Sequence, residues 1–153
     1  MNRMTSIAVL AGLTFAAGAA LAHDDAYLDT QKAPNGGQLR MAGAWHFELV
    51  VAKNSPEARE NPVVVHVTDH AGAKVPTAGA TGTATILAGR VRAQVTLVPD
   101  GDNRMKGFAK YASTPDLKAV VSITIAGKPA EQARFAPLEP KAAAADPHAG
   151  HKM

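Results

Sequence analysis

The segment from Asn35 to Lys53 constrains the fold most strongly, because it holds the only tryptophan and the clearest two-residue alternation in the chain. One side of an extended strand here carries large apolar side chains: Trp45, Phe47, Leu49 and Val51. The other side carries His46, Glu48, Val50 and Ala52. Aromatic and branched side chains at alternate positions are typical of a strand with one buried face. A shorter strand over 38–42 is predicted to enter it through a turn at Gly43.

Strand-like segments recur roughly every ten residues along the chain, with Gly, Pro and Asp turns between them. They cover residues 38–42, 44–53, 63–70, 81–87, 91–98, 104–110, 117–125 and 130–135. This spacing predicts an all-β fold, a single antiparallel β-sandwich of Ig-like type with seven or eight strands, and a small barrel is the alternative. The predicted core comprises Trp45, Phe47, Leu49, Val65, Val67, Val95, Leu97, Val121 and Ile123.

Residues 1–22 have the three-part pattern of a secretory signal peptide. Arg3 precedes an apolar run over 7–20, and Ala20-Leu21-Ala22 supplies small residues before the charged sequence that follows. The apolar run is shorter than the ~20 residues that a membrane-spanning helix needs. We therefore expect cleavage after Ala22, export to the periplasm and a mature protein that is not embedded in a membrane.

Composition divides the mature chain into three predicted parts. A polar arm over 23–36, predicted to be either a short helical turn or a loose segment packed by Tyr27, leads into a β-sandwich domain over 37–138. Residues 139–153 are poor in bulky apolar side chains and contain two prolines, which predicts a disordered tail with His and Met ligands.

Several classes of site are excluded or disfavoured by composition. The chain has no cysteine, which excludes disulfides and thiolate metal sites. Its formal net charge is only +3, and its basic residues are scattered rather than clustered with aromatics, so no nucleic-acid partner is predicted. HExxH, phosphate-loop and nucleophile-elbow motifs do not occur, and we predict that the protein is not an enzyme. The acidic turn over 100–103 lacks the later acidic ligand of a calcium loop and is predicted to be a hairpin turn.

Histidines at both ends of the mature chain are the first candidates for metal binding. Cleavage after Ala22 would place the imidazole of His23 beside a free amine. The tail combines the two imidazoles of His148 and His151 with the thioether of Met153. Imidazole and thioether ligands suit copper better than hard cations, so a copper ion is the predicted cofactor.

Three further histidines, His46, His66 and His70, are second candidates on the predicted sheet. If the two strands flanking 54–61 pair antiparallel, Glu48 lies near His66, and His46 lies near Thr68 or His70. Two interpretations of this face are open. It is either a surface site for metal binding or acid-base chemistry, or a polar outer face with one weak Glu–His contact, and the second is favoured.

Several segments carry a resemblance to known proteins. GGQLRMAGAWHFELVV, VTDHAGAKV, EQARFAPL and the His/Met tail, together with the signal peptide, resemble small periplasmic proteins of bacterial heavy-metal and copper resistance systems. Asn35-Gly36-Gly37 is similar to the His-Gly-Gly opening of metal-efflux adaptor segments, with Asn35 at the histidine position. An N-terminal His23 on a β-sandwich is similar to the CopC-like copper carriers.

The resemblance implies a periplasmic copper carrier or buffer that uses His23 and delivers metal to an efflux complex. The alternative is a non-metal envelope accessory domain that binds a partner protein through a sheet edge.

Overall fold

The computed structural model describes residues 24–141 and has an antiparallel all-β fold, which confirms the predicted fold class. A six-residue helix, α1 (Asp25–Thr30), precedes the sheet. The strands that follow in the described range are β1 (Gln38–Ala42), β2 (Trp45–Val51), β3 (Arg59–Thr68), β4 (Thr81–Ala88), β5 (Val91–Pro99), β6 (Arg104–Tyr111), β7 (Lys118–Thr124) and β8 (Ala130–Phe135).

All eight strands belong to one sheet with the order β1-β2-β3-β6-β5-β4-β7-β8. Strands β5 and β6 share only the register pairs Val98↔Lys106 and Pro99↔Met105, so the sheet opens there and the two halves fold over one core. The first and last strands come together at the other side, where the Gln38 side-chain oxygen accepts a hydrogen bond from the Ala136 backbone N–H at 2.8 Å. The sheet is thus nearly closed.

The hydrophobic core draws side chains from both halves of the sheet. All the predicted core residues except Trp45 lie in it: Phe47, Leu49, Val65, Val67, Val95, Leu97, Val121 and Ile123. Trp45 is only partly buried and packs against this cluster from its margin. It is the first residue of β2, directly after the hairpin turn at Gly43, which places it at the end of the sheet.

Strand β3 begins at Arg59 rather than at the predicted Val63. The extra residues pair with the end of β6, and the Pro62 carbonyl accepts a 2.6 Å hydrogen bond from the Tyr111 hydroxyl. The buried Asn61 side chain also donates to the Ser55 hydroxyl and to the Tyr111 carbonyl. Residues 59–62, which the sequence predicts to be part of a polar loop, therefore belong to a strand. The polar Asn61 side chain can be buried there because it has hydrogen-bond partners.

The N-terminal arm contains α1, whose first turn is capped by the Asp24 side chain. Of the two alternatives predicted for the arm, the short helical turn is confirmed; the helix buries Leu28, whereas Tyr27 is 50 % exposed. Arg40 of β1 holds the helix from the sheet side through a 2.8 Å ion pair with Asp29. The helix period places Leu28 and Tyr27 on different faces, and only one of them can meet the sheet.

At the other end of the described range, residues 139–141 contact the domain. Glu139 pairs with Lys118 at 3.3 Å, and the Lys141 ammonium donates to the Asp29 carbonyl at 2.8 Å. The start of the predicted tail therefore lies beside α1. Within residues 24–141, no helix is long and apolar enough to cross a bilayer.

Candidate metal-binding face

The second candidates lie on one face of the sheet, which is formed by strands β1, β2, β3 and β6: His46 is on β2, His66 is on β3 and His70 follows β3. Side chains at matching register positions of adjacent strands share a face, which defines two rows across this sheet. One row is Met41–His46–Thr68, and the other is Leu39–Glu48–His66–Arg104.

The predicted register of β2 against β3 is confirmed. Glu48 lies opposite His66, and His46 lies opposite Thr68. The His46 ring also stacks on the His70 ring, with the ring centroids 4.9 Å apart and the planes 24° from parallel. Three imidazoles are thus gathered on one face.

The favoured interpretation of this side of β2 is a polar outer face with one weak Glu–His contact. The Glu48–His66 pairing is confirmed, but the face is covered rather than open to solvent. His46 is 8 % exposed and Glu48 is 3 % exposed, although both point away from the hydrophobic core. The arm, through Pro34 and Asn35, lies on one side of a cavity over this face, and the turn at Gly72 lies on the other. The face is covered by chain segments that precede β1 and follow β3.

Glu48 fastens the arm to the sheet. Its carboxylate accepts hydrogen bonds from the Asn35 backbone N–H at 2.8 Å, from the Asn35 side-chain amide at 2.9 Å and from the Gly37 N–H at 3.0 Å. A side chain at position 37 would overlap the Leu49 carbonyl oxygen, so glycine is what allows the arm to approach β2 this closely. Three N–H donors compensate the buried charge, which makes Glu48 a structural anchor.

His66 lies between groups of opposite charge. Burial lowers the pKa of His66 below 6.5, Glu48 acts in the opposite direction, and Arg104 and Lys74 lower the pKa further. The neutral imidazole is therefore favoured at His66, and the neutral form is the one that binds metal ions.

His70 stands on the turn after β3, where the Asp69 carboxylate accepts hydrogen bonds from the Ala71 and Ala73 backbone N–H groups. Its side chain is exposed, and its Nε2 lies 3.2 Å from the Gly43 carbonyl oxygen in the β1–β2 turn. The ring therefore spans from the β3 turn to the β1–β2 hairpin and covers one side of His46.

A cavity of about 350 Å³ opens on this face. His46, Glu48 and His66 line it, together with Asn35 from the arm and Lys74 beyond β3. The Asn-Gly-Gly turn thus borders the cavity through Asn35. Its side-chain amide is engaged with Glu48. No signal in the sequence shows that the arm reaches this cavity, because the contact is made by polar groups that lie outside any strand register.

The first-choice candidates His23, His148, His151 and Met153 lie outside the described residues, as does the predicted signal peptide. Between residues 24 and 141, no group of three or more His, Asp or Glu side chains is arranged to hold a metal ion.

The turn over 100–103 is the predicted hairpin, in which the Asp100 N–H donates to the Arg104 carbonyl at 2.8 Å. Its Asp100 carboxylate pairs with Arg104 rather than standing open for calcium.

Comparisons with known proteins do not identify a family. No protein-family model, curated protein or solved structure matches the chain. The function is therefore argued from the residues of the histidine face, meaning His46, His66 and His70 with the cavity beside them.

Proposed function

We propose that the protein is a periplasmic metal-binding protein that carries or buffers copper. The observation that carries this proposal is the gathering of His46, His66 and His70 on one covered face of the sheet, with two of the rings in contact at 4.9 Å. Imidazole nitrogen is a good ligand for copper, and the chain has no thiol to compete with it.

Electrostatics on this face favour imidazole ligation over carboxylate ligation. Glu48 is occupied by three N–H donors from the arm, whereas the lowered pKa of His66 keeps its ring neutral and available. Binding should weaken as the pH falls below about 6.5, because protons then compete for the ring nitrogens.

The terminal residues His23, His148, His151 and Met153 remain proposed collectors of the ion, with the histidine face as the holding site in the domain. Lys141 contacts Asp29, which brings the start of the tail next to the arm that covers the face. The proposed link to an efflux complex rests on the resemblance of the segments quoted above to copper-resistance proteins.

Docking of a partner protein by strand addition has less support. Strands β1 and β8, the ends of the sheet order, face each other, and Gln38 bonds to the backbone just after β8. An added strand would have to displace these contacts.

Calorimetric titration of the processed protein, which begins at His23, with Cu(II), Ni(II) and Zn(II) tests the proposal. His70→Asn alters an exposed turn residue and is expected to weaken copper binding by about tenfold or more, a loss typical of disrupted metal sites. Gln94→Ala, a change at an exposed position of β5, is the control and should leave binding unchanged. No saturable copper binding by the unaltered protein would overturn the proposed function.

Two further variants locate the ion. Truncation after Pro140 and His23→Ala remove the terminal ligands. We expect both variants to retain a copper site that His70→Asn weakens. Complete loss of binding in the truncated protein, with full binding in His70→Asn, would overturn the assignment of the holding site to the histidine face.

A further inference from the structure

Met41 is the cross-strand partner of His46 on the β1 side of the histidine face. Strands β1 and β2 are joined by a two-residue hairpin in which Ala42 pairs with Trp45 and Gly43 has φ of 57°. The next pair is Met41 opposite His46. Their side chains therefore leave the sheet on the same face at adjacent positions.

Backbone hydrogen bonding shows which kind of pair this is. The Met41 N–H points away from β2 and donates to the Asp25 carboxylate at 3.3 Å. Met41 and His46 are thus a non-hydrogen-bonded pair, the type in which the Cα atoms are about 4.5 Å apart and the side chains come closest. The thioether of Met41 and the imidazole of His46 are brought together by the register itself.

His70 approaches His46 from the β3 side. Its ring stacks on His46, and its Nε2 lies 3.2 Å from the Gly43 carbonyl oxygen, in the turn that joins Met41 to His46. The neutral His70 ring keeps a lone pair on one nitrogen, which can bind a metal once the ring turns away from the Gly43 carbonyl oxygen. One end of the hairpin therefore places the Met41 thioether and the His70 imidazole on either side of His46.

We propose that Met41, His46 and His70 form a three-coordinate site for Cu(I), with Sδ of Met41 as the soft ligand. This inference rests on the proposed copper function and specifies the oxidation state that the domain holds. Thioether sulfur selects Cu(I), whereas Zn(II) and Ni(II) gain little from it. The ion enters and leaves as Cu(I), so no electron transfer is involved. Ligation requires the exposed His70 ring to turn out of the stack.

The test compares the full-length protein with Met41→Leu in anaerobic competition against a colorimetric Cu(I) chelator. Leucine keeps the volume and apolar character of methionine but lacks the sulfur. We expect Met41→Leu to weaken Cu(I) binding by about tenfold or more, and to leave Zn(II) binding within about threefold of the original value. Met105→Leu, the same change at a fully buried core position, is the control and should leave both affinities unchanged.

X-ray absorption of the Cu(I)-loaded protein supplies a second readout. A sulfur scatterer is expected in the unaltered protein and in Met153→Leu, and it should disappear in Met41→Leu. Cu(I) affinity of Met41→Leu within about threefold of the original, in a protein whose copper binding still depends on His70, would overturn this inference alone. Absence of Cu(I), Cu(II) and Zn(II) binding in the unaltered protein would overturn the proposed function as well.

Discussion

Glu48 and Asn35 are joined by two hydrogen bonds, one from the Asn35 backbone N–H at 2.8 Å and one from its side-chain amide at 2.9 Å. Gly37 adds a third donor to the same carboxylate. Since Glu48 is almost fully buried, this contact links the arm to the centre of β2 in a setting shielded from water. Hydrogen bonds to a charged group are stronger than neutral ones, so the arm is held at one point.

Glu48→Gln should therefore destabilise the protein and loosen the arm. A glutamine presents an NH₂ group to the same donors, which leaves at least one buried polar group without a good partner. We expect a loss of about 1.5–3 kcal/mol in the free energy of unfolding, measured by urea denaturation. Faster hydrogen exchange at the Gly37 amide would locate the effect in the arm.

Glu57→Gln provides the matched control, because Glu57 is exposed in the segment between β2 and β3. A change within about 0.5 kcal/mol is expected there. Equal effects of the two substitutions would contradict the anchoring role of Glu48.

The ring of His66 should titrate below its ordinary range. Burial lowers its pKa, and Arg104 and Lys74 add to this effect against the opposing influence of Glu48. In the unfolded chain His66 takes up its proton near pH 6.5, before the folded protein does. The unfolded state therefore binds more protons in the window just below pH 6.5, and stability is lost as the pH falls through it.

NMR titration of the His66 ring signals measures this pKa directly. Arg104→Gln removes a neighbouring positive charge and should raise the pKa of His66 towards 6.5. In urea denaturation, His66→Asn should lose less stability than the original protein between pH 7.5 and pH 5.5, as expected from linkage. A His66 pKa at or above 6.5 in the folded protein would contradict the electrostatic description of the face.

Tyr111 joins β2, β3 and β6 through its hydroxyl group. The hydroxyl donates to the Pro62 carbonyl at 2.6 Å and accepts from the Ala52 N–H at 2.9 Å, and the side chain is fully buried. Tyr111→Phe leaves both backbone groups without this partner, and we expect a loss of about 1–3 kcal/mol in the free energy of unfolding. Tyr27→Phe, at an exposed position, should change stability by less than about 0.5 kcal/mol.

The same hydroxyl predicts an alkaline limit of stability. Burial raises the pKa of Tyr111 above 10, so the unfolded chain loses the phenol proton before the folded protein does. The stability that the protonated Tyr111 side chain contributes is fully present below pH 10. It is lost as the pH rises through the pKa of Tyr111 in the folded protein. Denaturation of Tyr111→Phe should show a smaller loss of stability above pH 10 than that of the original protein. If both proteins lost stability equally above pH 10, deprotonation of Tyr111 would be ruled out as the cause.

The pairing of β2 with β3 was predictable because strand side chains alternate strictly, and one buried face fixes the parity of both strands. That argument places Glu48 against His66 and His46 near Thr68 or His70, and in the structure His46 pairs with Thr68. Alternation also located most of the core, since Phe47 and Leu49 are large and apolar on the side that any antiparallel sheet would bury.

The burial of the opposite face was not predictable from alternation. It depends on the arm crossing back over β2, a contact set by Asn35 and Gly37 meeting a single carboxylate. Neither residue is apolar, so no periodic signal marks the contact. The proximity of His46 to His70 was among the predicted alternatives, but the stacking of the two rings was not, because a turn residue has no register. Contacts made by loops and arms with polar side chains are the part of the site that sequence patterns do not reveal.

The two aromatic residues of β2 differ in how deeply they are buried in the core, so we expect their replacement by alanine to cost different amounts of stability. Phe47 is fully buried in the middle of the sheet, whereas Trp45 at the start of the strand is only partly buried. Phe47→Ala should cost about 3–5 kcal/mol through lost burial and the cavity left behind. Trp45→Ala should cost less, although tryptophan is the larger residue, because water can fill the space at the margin. Phe108→Ala, with 55 % of Phe108 exposed, serves as the surface control and should change stability by less than about 1 kcal/mol. Urea denaturation followed by circular dichroism suits all three variants, since Trp45 is the only tryptophan and its fluorescence is lost in one of them. A larger loss for Trp45→Ala than for Phe47→Ala would place the centre of the core at the hairpin end of β2.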